Sequence, residues 1–446
     1  MFNGLRLSKV PGVCPVIRQL KRIFGILVFF STFSPVGLYA GGPILVDTDG
    51  SGQAILWKNG VIHYNLESGT AAKLGKLSNE EAVALVRELF DDWKNITING
   101  VSTVSLTFVE GASLGSVDAS NMNQHFTYCP PDKTCPGESA PFNSGSARTG
   151  ESPILFDDDG SMTDAVQGVG ASQSILGFAG PRVVESIGGT MYITEGQAIL
   201  NGKFIDNVTS SSNPEVTVEQ FKGAIIHELF HFMGGDHTQV NLSSAAKYLR
   251  GDKSEKDAIP TMLPLFVDGE AQLTPHFDDK VSISSLYPSA AFSSSFCRVE
   301  GTVFESDSTT QLQGVNVIAS RDDDPLGEDT SSVSGVLYTG KGENCKAHAG
   351  RYILSGLTPG KTYSVKYEKI SSGFTGGSSI EPCDPPQSGF EAKTLPGTFS
   401  CSAGGSVITA GTSASSEIVT TKTTTTTTGG DNQAVSSSAG GCSLLL

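Results

Sequence analysis

Alternating and helical patterns of apolar residues predict the elements of the first half of the chain. Between residues 55 and 64 apolar and polar residues alternate, which is typical of a strand followed by a turn. Ser78 and Glu81 form a capping-box pattern, and Ala82 to Trp93 then carry apolar residues at helical spacing. Residues 104–108, 190–193 and 198–200 predict further strands, and Thr217 predicts the start of a second helix.

The second half of the chain has a different pattern. Short alternating segments at 299–303, 312–319, 350–354 and 363–367 are separated by Gly and Pro turns, which predicts a small all-β sandwich over 297–401. Residues 290–296 are small and polar and predict a flexible linker, so we expect the sandwich to fold independently. From residue 402 to 446 the chain is rich in Ser, Thr and Gly, which predicts a disordered tail.

Charge and composition indicate an extracellular protein. Residues 1–40 hold five cations, no acid, an apolar run at 23–30 and then Leu38-Tyr39-Ala40, which predicts a secretory signal peptide cleaved after Ala40. An uncleaved membrane anchor is the alternative. Without those five cations the formal charge changes from −16 to −21. Such an acidic chain is not expected to bind nucleic acid or anionic membrane surfaces.

The eight cysteines fit the same oxidising compartment. Cys14 would leave with the signal peptide, and Cys442 stands alone. Cys129 and Cys135 predict one local disulfide, with a metal-binding pair as the alternative. Two further disulfides are expected in the sandwich, among Cys297, Cys345, Cys383 and Cys401.

The segment 227–237 carries the candidate chemistry. His227 and His231 are four residues apart, so on a helix both project from one face and can reach one metal ion. Gly234 can end that helix with a left-handed backbone, which lets His237 approach as a third ligand. Three imidazoles leave the fourth tetrahedral position of zinc for water, and Glu228 is placed to act as general base.

With the segment Ile-Pro-Thr-Met-Leu-Pro at 259–264, this motif resembles the metzincin zinc metallopeptidases, and the matrixins within them. The resemblance implies that Met262 forms the structural Met-turn beneath the zinc, and that 273–288 forms the last helix of the domain. It implies an α+β fold, in which a metzincin-like catalytic domain with a twisted mixed sheet and an active-site helix spans 41–289. The sandwich resembles a carboxypeptidase regulatory-like, transthyretin-type domain.

The resemblance implies a hydrolase, specifically a secreted or cell-surface zinc metalloendopeptidase acting on protein or peptide substrates. A zinc-activated water would attack the peptide bond, with Glu228 moving the proton. The alternative is a non-catalytic surface adhesion protein that retains a metal-stabilised domain. A processing protease with a single partner substrate is a third interpretation.

The sequence contains two further candidate sites. Asp157, Asp159 and Asp164 have the oxygen-rich spacing of a calcium loop, although they lack the full EF-hand pattern, and a solvated acidic turn is the alternative. The end of the sequence, Gly440-Gly441-Cys442-Ser443 and three leucines, resembles the start of bacterial surface-sorting signals of the Gly-Gly-Cys type. The tail is therefore a candidate for cell-surface attachment.

Overall fold

The computed structural model describes residues 41–47, 51–126, 150–209, 214–305, 309–338, 348–370, 392–395, 397–408, 412–413 and 442–445. The predicted signal peptide lies outside the described residues, as do Cys129, Cys135, Cys345 and Cys383.

The first part of the chain combines short and long strands with helices. Its strands are β1 Leu56–Trp57, β2 Val61–Leu66, β3 Thr97–Ile98, β4 Val101–Ser102, β5 Thr107–Glu110, β6 Pro153–Asp157, β7 Ile175–Ile187 and β8 Thr190–Asn201. Its helices are α1 Asn79–Lys94, α2 Ser161–Gln167, α3 Val218–Phe232, α4 Leu242–Leu249, α5 Gly269–Gln272, α6 Phe277–Leu286 and α7 Ala290–Ser295.

Further strands follow these helices. They are β9 Cys297–Phe304, β10 Val315–Arg321, β11 Asp324–Val333, β12 Arg351–Leu357, β13 Tyr363–Lys369, β14 Lys393–Thr394, β15 Ser406–Ile408, β16 Thr412–Ser413 and β17 Cys442–Leu445.

The main sheet has the strand order β17-β7-β8-β6-β2-β5, and β1 also pairs with β8. Parallel pairing joins β1, β2, β5, β6 and β8, whereas β7 is antiparallel to β8. The molecule is therefore a mixed fold with a largely parallel sheet and separate antiparallel sheets, which is compatible with the expected α+β class. β8 is one continuous strand where the sequence predicted two short strands at 190–193 and 198–200, and its antiparallel neighbour β7 was not predicted.

α1 and α3, the two helices that were predicted from their N-terminal caps, pack against each other. Ser78 and Thr217 both form the expected capping boxes at the starts of α1 and α3. The indole N–H of Trp93 in α1 donates to the carbonyl of Ile226 in α3 at 3.0 Å, and its ring lies 5.0 Å from that of Phe230. This contact joins α3 to α1, and α3 also packs against β7 and β8 of the main sheet.

The second part is a β-sandwich, as the alternating pattern predicted. One sheet has the order β11-β10-β13-β14 and the other has β12-β9-β15, with β16 also on β9. Cys297 and Cys401 form a disulfide between the first strand and the segment that precedes β15. β11 was missed by the sequence pattern because its first half is acidic and rich in turn formers.

The sandwich is not separated from the first part by a flexible linker. Residues 290–296 were predicted to be that linker, but Ala290–Ser295 forms a helix whose Phe292 is buried. The main hydrophobic core also contains side chains from the sandwich, namely Val333, Val336, Leu337, Tyr338 and Ile353. β11 and β12 contact α6 directly. The two parts therefore share one core, and the expectation of independent folding is wrong.

The predicted disorder of the tail is also wrong for its described parts. β15 and β16 pair in parallel with β9, which extends one sheet of the sandwich. β17 pairs with β7 and therefore belongs to the main sheet, not to either sheet of the sandwich. Among the described residues, no helix combines the length and the hydrophobicity that crossing a bilayer requires.

Candidate metal centre

The zinc-ligand candidates lie on α3 and on the turn that follows it. α3 ends at Phe232, and Gly234 has φ +94°, so the left-handed residue expected there is confirmed. Gly235 must also lack a side chain, because a Cβ there would lie 1.9 Å from a ring carbon of Phe230. The chain therefore reverses tightly enough to bring His237 back to the helix.

The three predicted ligands converge. The Nε2 atoms of His227, His231 and His237 lie 3.0–3.2 Å from one another, and all three side chains are fully buried. Among the described residues, this is the group of histidine, cysteine and acidic side chains whose ligand atoms are close enough to hold one metal ion. Local spacing and one glycine turn were sufficient to predict it.

Hydrogen bonds determine which ring nitrogens are available as ligands. Nδ1 of His227 lies 2.7 Å from the carbonyl oxygen of Thr261, and Nδ1 of His231 lies 2.8 Å from that of Gly235. A carbonyl oxygen can only accept, so both Nδ1 atoms carry the proton and donate it. In the neutral rings the Nε2 atoms then present lone pairs to the centre of the cluster.

Burial keeps these rings neutral. Burial lowers the pKa of His227 to about 4, and it lowers the pKa of His231 and His237 well below the ordinary value, with repulsion among the rings adding to it. Three converging lone pairs without a proton between them repel one another, and a cation removes that repulsion. Neutral imidazole is the form that zinc binds, and the all-nitrogen set suits zinc better than calcium, which takes oxygen ligands.

Glu228 lies between α3 and the edge of the main sheet. Its side chain is fully buried. A Cβ on Gly177 of β7 would lie 3.0 Å from Cγ of Glu228, so glycine at position 177 makes room for the carboxylate. The candidate general base is therefore held against β7, next to the first histidine.

Met262 lies in the turn directly after the carbonyl that orients His227. Its side chain is buried, and its own carbonyl accepts from Thr238 N at 2.9 Å. Asp279 holds this turn from α6, since its carboxylate accepts from Thr261 N at 2.8 Å and from Met262 N at 3.1 Å. The turn predicted at 259–264 is thus connected both to a ligand candidate and to α6.

The three aspartates proposed for calcium have protein donors as partners. Asp157 is buried and accepts from Met162 N, Thr163 N and the Thr163 hydroxyl. Asp159 accepts from Ser161 N, and Asp164 from Ser172 N. They are not part of the metal-compatible group found among the described residues. These carboxylates cap α2 and its neighbouring turns, as short polar side chains do.

Several contributing residues could not be identified from the sequence. Thr261 and Gly235 contribute through their backbone carbonyls. Because every residue has a backbone carbonyl, the residue type gives no signal for this role. Gly177 is one of 52 glycines, and nothing local marks it. Asp279 lies in the first turn of α6, and only the tertiary fold buries it against the Met262 turn.

Comparisons with known proteins do not assign this chain. No protein-family model matches it, and no curated protein is similar enough in sequence to be matched. A functional proposal therefore depends on the residues of the site themselves.

Proposed function

We propose that this protein is a zinc-dependent endopeptidase with a metzincin-like, matrixin-like catalytic domain. One observation carries the proposal: three neutral, buried imidazoles converge through Nε2 beside the carboxylate of Glu228. Three histidine ligands with an adjacent carboxylate are the set that a catalytic zinc site requires, because the fourth position stays open. The Met262 turn, tied to His227 through Thr261, supports the metzincin assignment.

His227, His231 and His237 would hold the zinc. When bound, zinc supplies Lewis-acid activation of water and of the scissile carbonyl. Glu228 accepts the proton of the attacking water and delivers it to the leaving amine, since it neighbours a ligand without being one. The Thr261 and Gly235 carbonyls fix the two helical imidazoles, so the reacting groups need little rearrangement.

Protein and peptide chains are the proposed substrates. Apart from the short strand β17, β7 is the outermost strand of the main sheet at Gly177, and a sheet edge binds an extended peptide through backbone hydrogen bonds that any sequence can form. A peptide on this edge would pass the residue that contacts Glu228. The proposed recognition is thus general for extended peptides, with side-chain preferences added by neighbouring loops.

We further propose that the protein acts in a secreted or cell-surface location. The Cys297–Cys401 disulfide supports an oxidising compartment, and the leader-like residues 1–40 support export.

The test is peptide cleavage by the purified chain with and without a chelator. Glu228→Gln should keep zinc and lower the rate about 10²- to 10⁴-fold, as loss of a general base does. Glu219→Gln is the matched control, because Glu219 lies exposed in the first turn of the same helix and pairs with Lys222. A parent chain that binds zinc but leaves all peptides intact would instead be the metal-stabilised adhesion protein.

A further inference from the structure

The edge of the main sheet beside Glu228 is paired with a segment of this same chain. β17 (Cys442–Leu445) lies antiparallel to β7, with Leu444 opposite Gly177 and Ser443 opposite Phe178. On its other side the same stretch of β7 pairs with β8. The edge of β7 that does not pair with β8 is therefore occupied by β17 at these residues.

The register of this pairing places β17 at the proposed catalytic residues. Gly177, the partner of Leu444, is the residue whose absent side chain makes room for Glu228. Directly opposed residues of an antiparallel pair have Cα atoms about 4.5–5.5 Å apart. Cα atoms of β17 also lie within 8 Å of Cα atoms of α3, the helix that bears His227 and His231. The backbone of β17 thus follows the path expected of a peptide substrate.

We propose that Cys442–Leu445 is an intramolecular ligand of the peptide-binding edge, which an incoming peptide must displace. Neighbouring strands are about 4.8 Å apart, so one edge accepts one strand at a time. Tethering within the same chain gives the segment an effective concentration of about 1 mM, well above that of most substrates. The proposal rests on the proposed peptidase function for its kinetic consequence, although not for the pairing itself.

The first experiment measures pairing without catalysis. Backbone hydrogen exchange of residues 175–179 is compared between the full chain and a chain that ends at Gly441. The amides of β7 that face β17 should exchange faster in the shortened chain, while those bonded to β8 stay protected. Equal exchange in both chains would overturn the proposal.

Two proline variants provide a matched pair that leaves the length unchanged. Successive amides of a strand point to opposite edges, so one of Ser443 and Leu444 directs its N–H to β7 and the other directs it away. Proline is tolerated on an edge strand only where the N–H faces outward. Ser443→Pro and Leu444→Pro should therefore differ in their effect on β7. Only the variant whose proline removes the N–H directed to β7 should speed the exchange of residues 175–179. If neither variant changes the exchange of residues 175–179, the pairing is not present in solution.

The second experiment measures cleavage of a short peptide by the same four proteins. Removal of Cys442–Leu445 should lower KM several-fold and leave kcat unchanged, because a competitor of the substrate has been removed. Addition of the free peptide Cys-Ser-Leu-Leu-Leu should restore the higher KM. An unchanged KM in an active shortened chain contradicts the proposal. If exchange of β7 increases but neither chain cleaves any peptide, the pairing is supported and the peptidase function fails.

Discussion

Nδ1 of His227 lies 2.7 Å from the carbonyl oxygen of Thr261, the residue directly before Met262. This hydrogen bond joins the helix that carries two ligand candidates to a turn that lies 34 residues further along the chain. It fixes the tautomer of His227 with Nε2 free for a metal. The Met262 turn therefore contributes to the site through a backbone oxygen, and Asp279 holds that turn in place.

Zinc content should depend on His237. The purified parent should contain about one zinc per chain, because three buried imidazoles form the expected ligand set. His237→Ala should lose most of it, since two protein ligands remain. Elemental analysis of protein prepared without chelators measures this, with His63→Ala as control because His63 is exposed in β2. Equal zinc in the His237→Ala chain would show that this residue is not a ligand.

Asp279→Ala should destabilise the fold and weaken metal binding together. Its carboxylate accepts from three backbone amides, those of Thr261, Met262 and His276. Each buried amide left without a partner costs about 1–3 kcal/mol, and loss of support around a ligand typically weakens metal affinity about 10- to 100-fold. Urea unfolding and zinc titration measure both effects, and the exposed Asp257→Ala is the control. A variant with normal stability would contradict this role.

The contribution of Asp278 to stability should fall as the pH rises from about 4 to 8. Burial raises the pKa of Asp278 to about 8, although the Thr238 hydroxyl and Ser331 N donate to it. The folded state then holds a proton that the unfolded state has lost, so each pH unit in this window lowers the unfolding free energy by up to about 1.4 kcal/mol. Asp278→Asn removes the charge and should flatten this slope, because its amide oxygen can accept from Ser331 N while its NH2 group donates to the Thr238 hydroxyl.

Urea unfolding of zinc-loaded protein at pH 5 and pH 8 measures the slope, with Asp257→Asn as the exposed control. The Asp278→Asn chain should match the parent near pH 5 and be more stable than it at pH 8. Identical slopes in the two proteins would show that Asp278 is ionised throughout this range.

A chain that ends at Ser289 should not fold as the parent does. Val333, Val336, Leu337, Tyr338 and Ile353 of the sandwich lie in the main core. Burying a large apolar side chain contributes about 1.5–3 kcal/mol, so losing several of them removes an amount comparable with the whole stability of a domain. Circular dichroism melting should show a large loss of Tm relative to the full chain. A chain ending at Ser413 retains the sandwich and is the control.

Much of the candidate site could be predicted from the sequence because its information is local. The i, i+4 spacing of His227 and His231 puts both on one face of any helix, and the capping box at Thr217 starts that helix. Gly234 ends this helix because glycine readily adopts the left-handed backbone, which is also a local property. The alternating segments of the sandwich were predicted for the same reason, since period 2 marks a strand with one buried face.

The tertiary structure decided the features that depend on partners distant in sequence. β11 begins with Asp324 in an acidic stretch that favours a loop, yet it pairs with β10 and packs on α6, so the polar residues from Glu328 to Ser332 are buried. β17 pairs with β7 across more than 250 residues, which no local pattern encodes. The sequence by itself determined which side chains can bind a metal and where α1 and α3 begin. Only packing decided which carbonyls orient the ligands, that the two parts share a core, and which strand lies beside Glu228, because burial depends on what covers a residue.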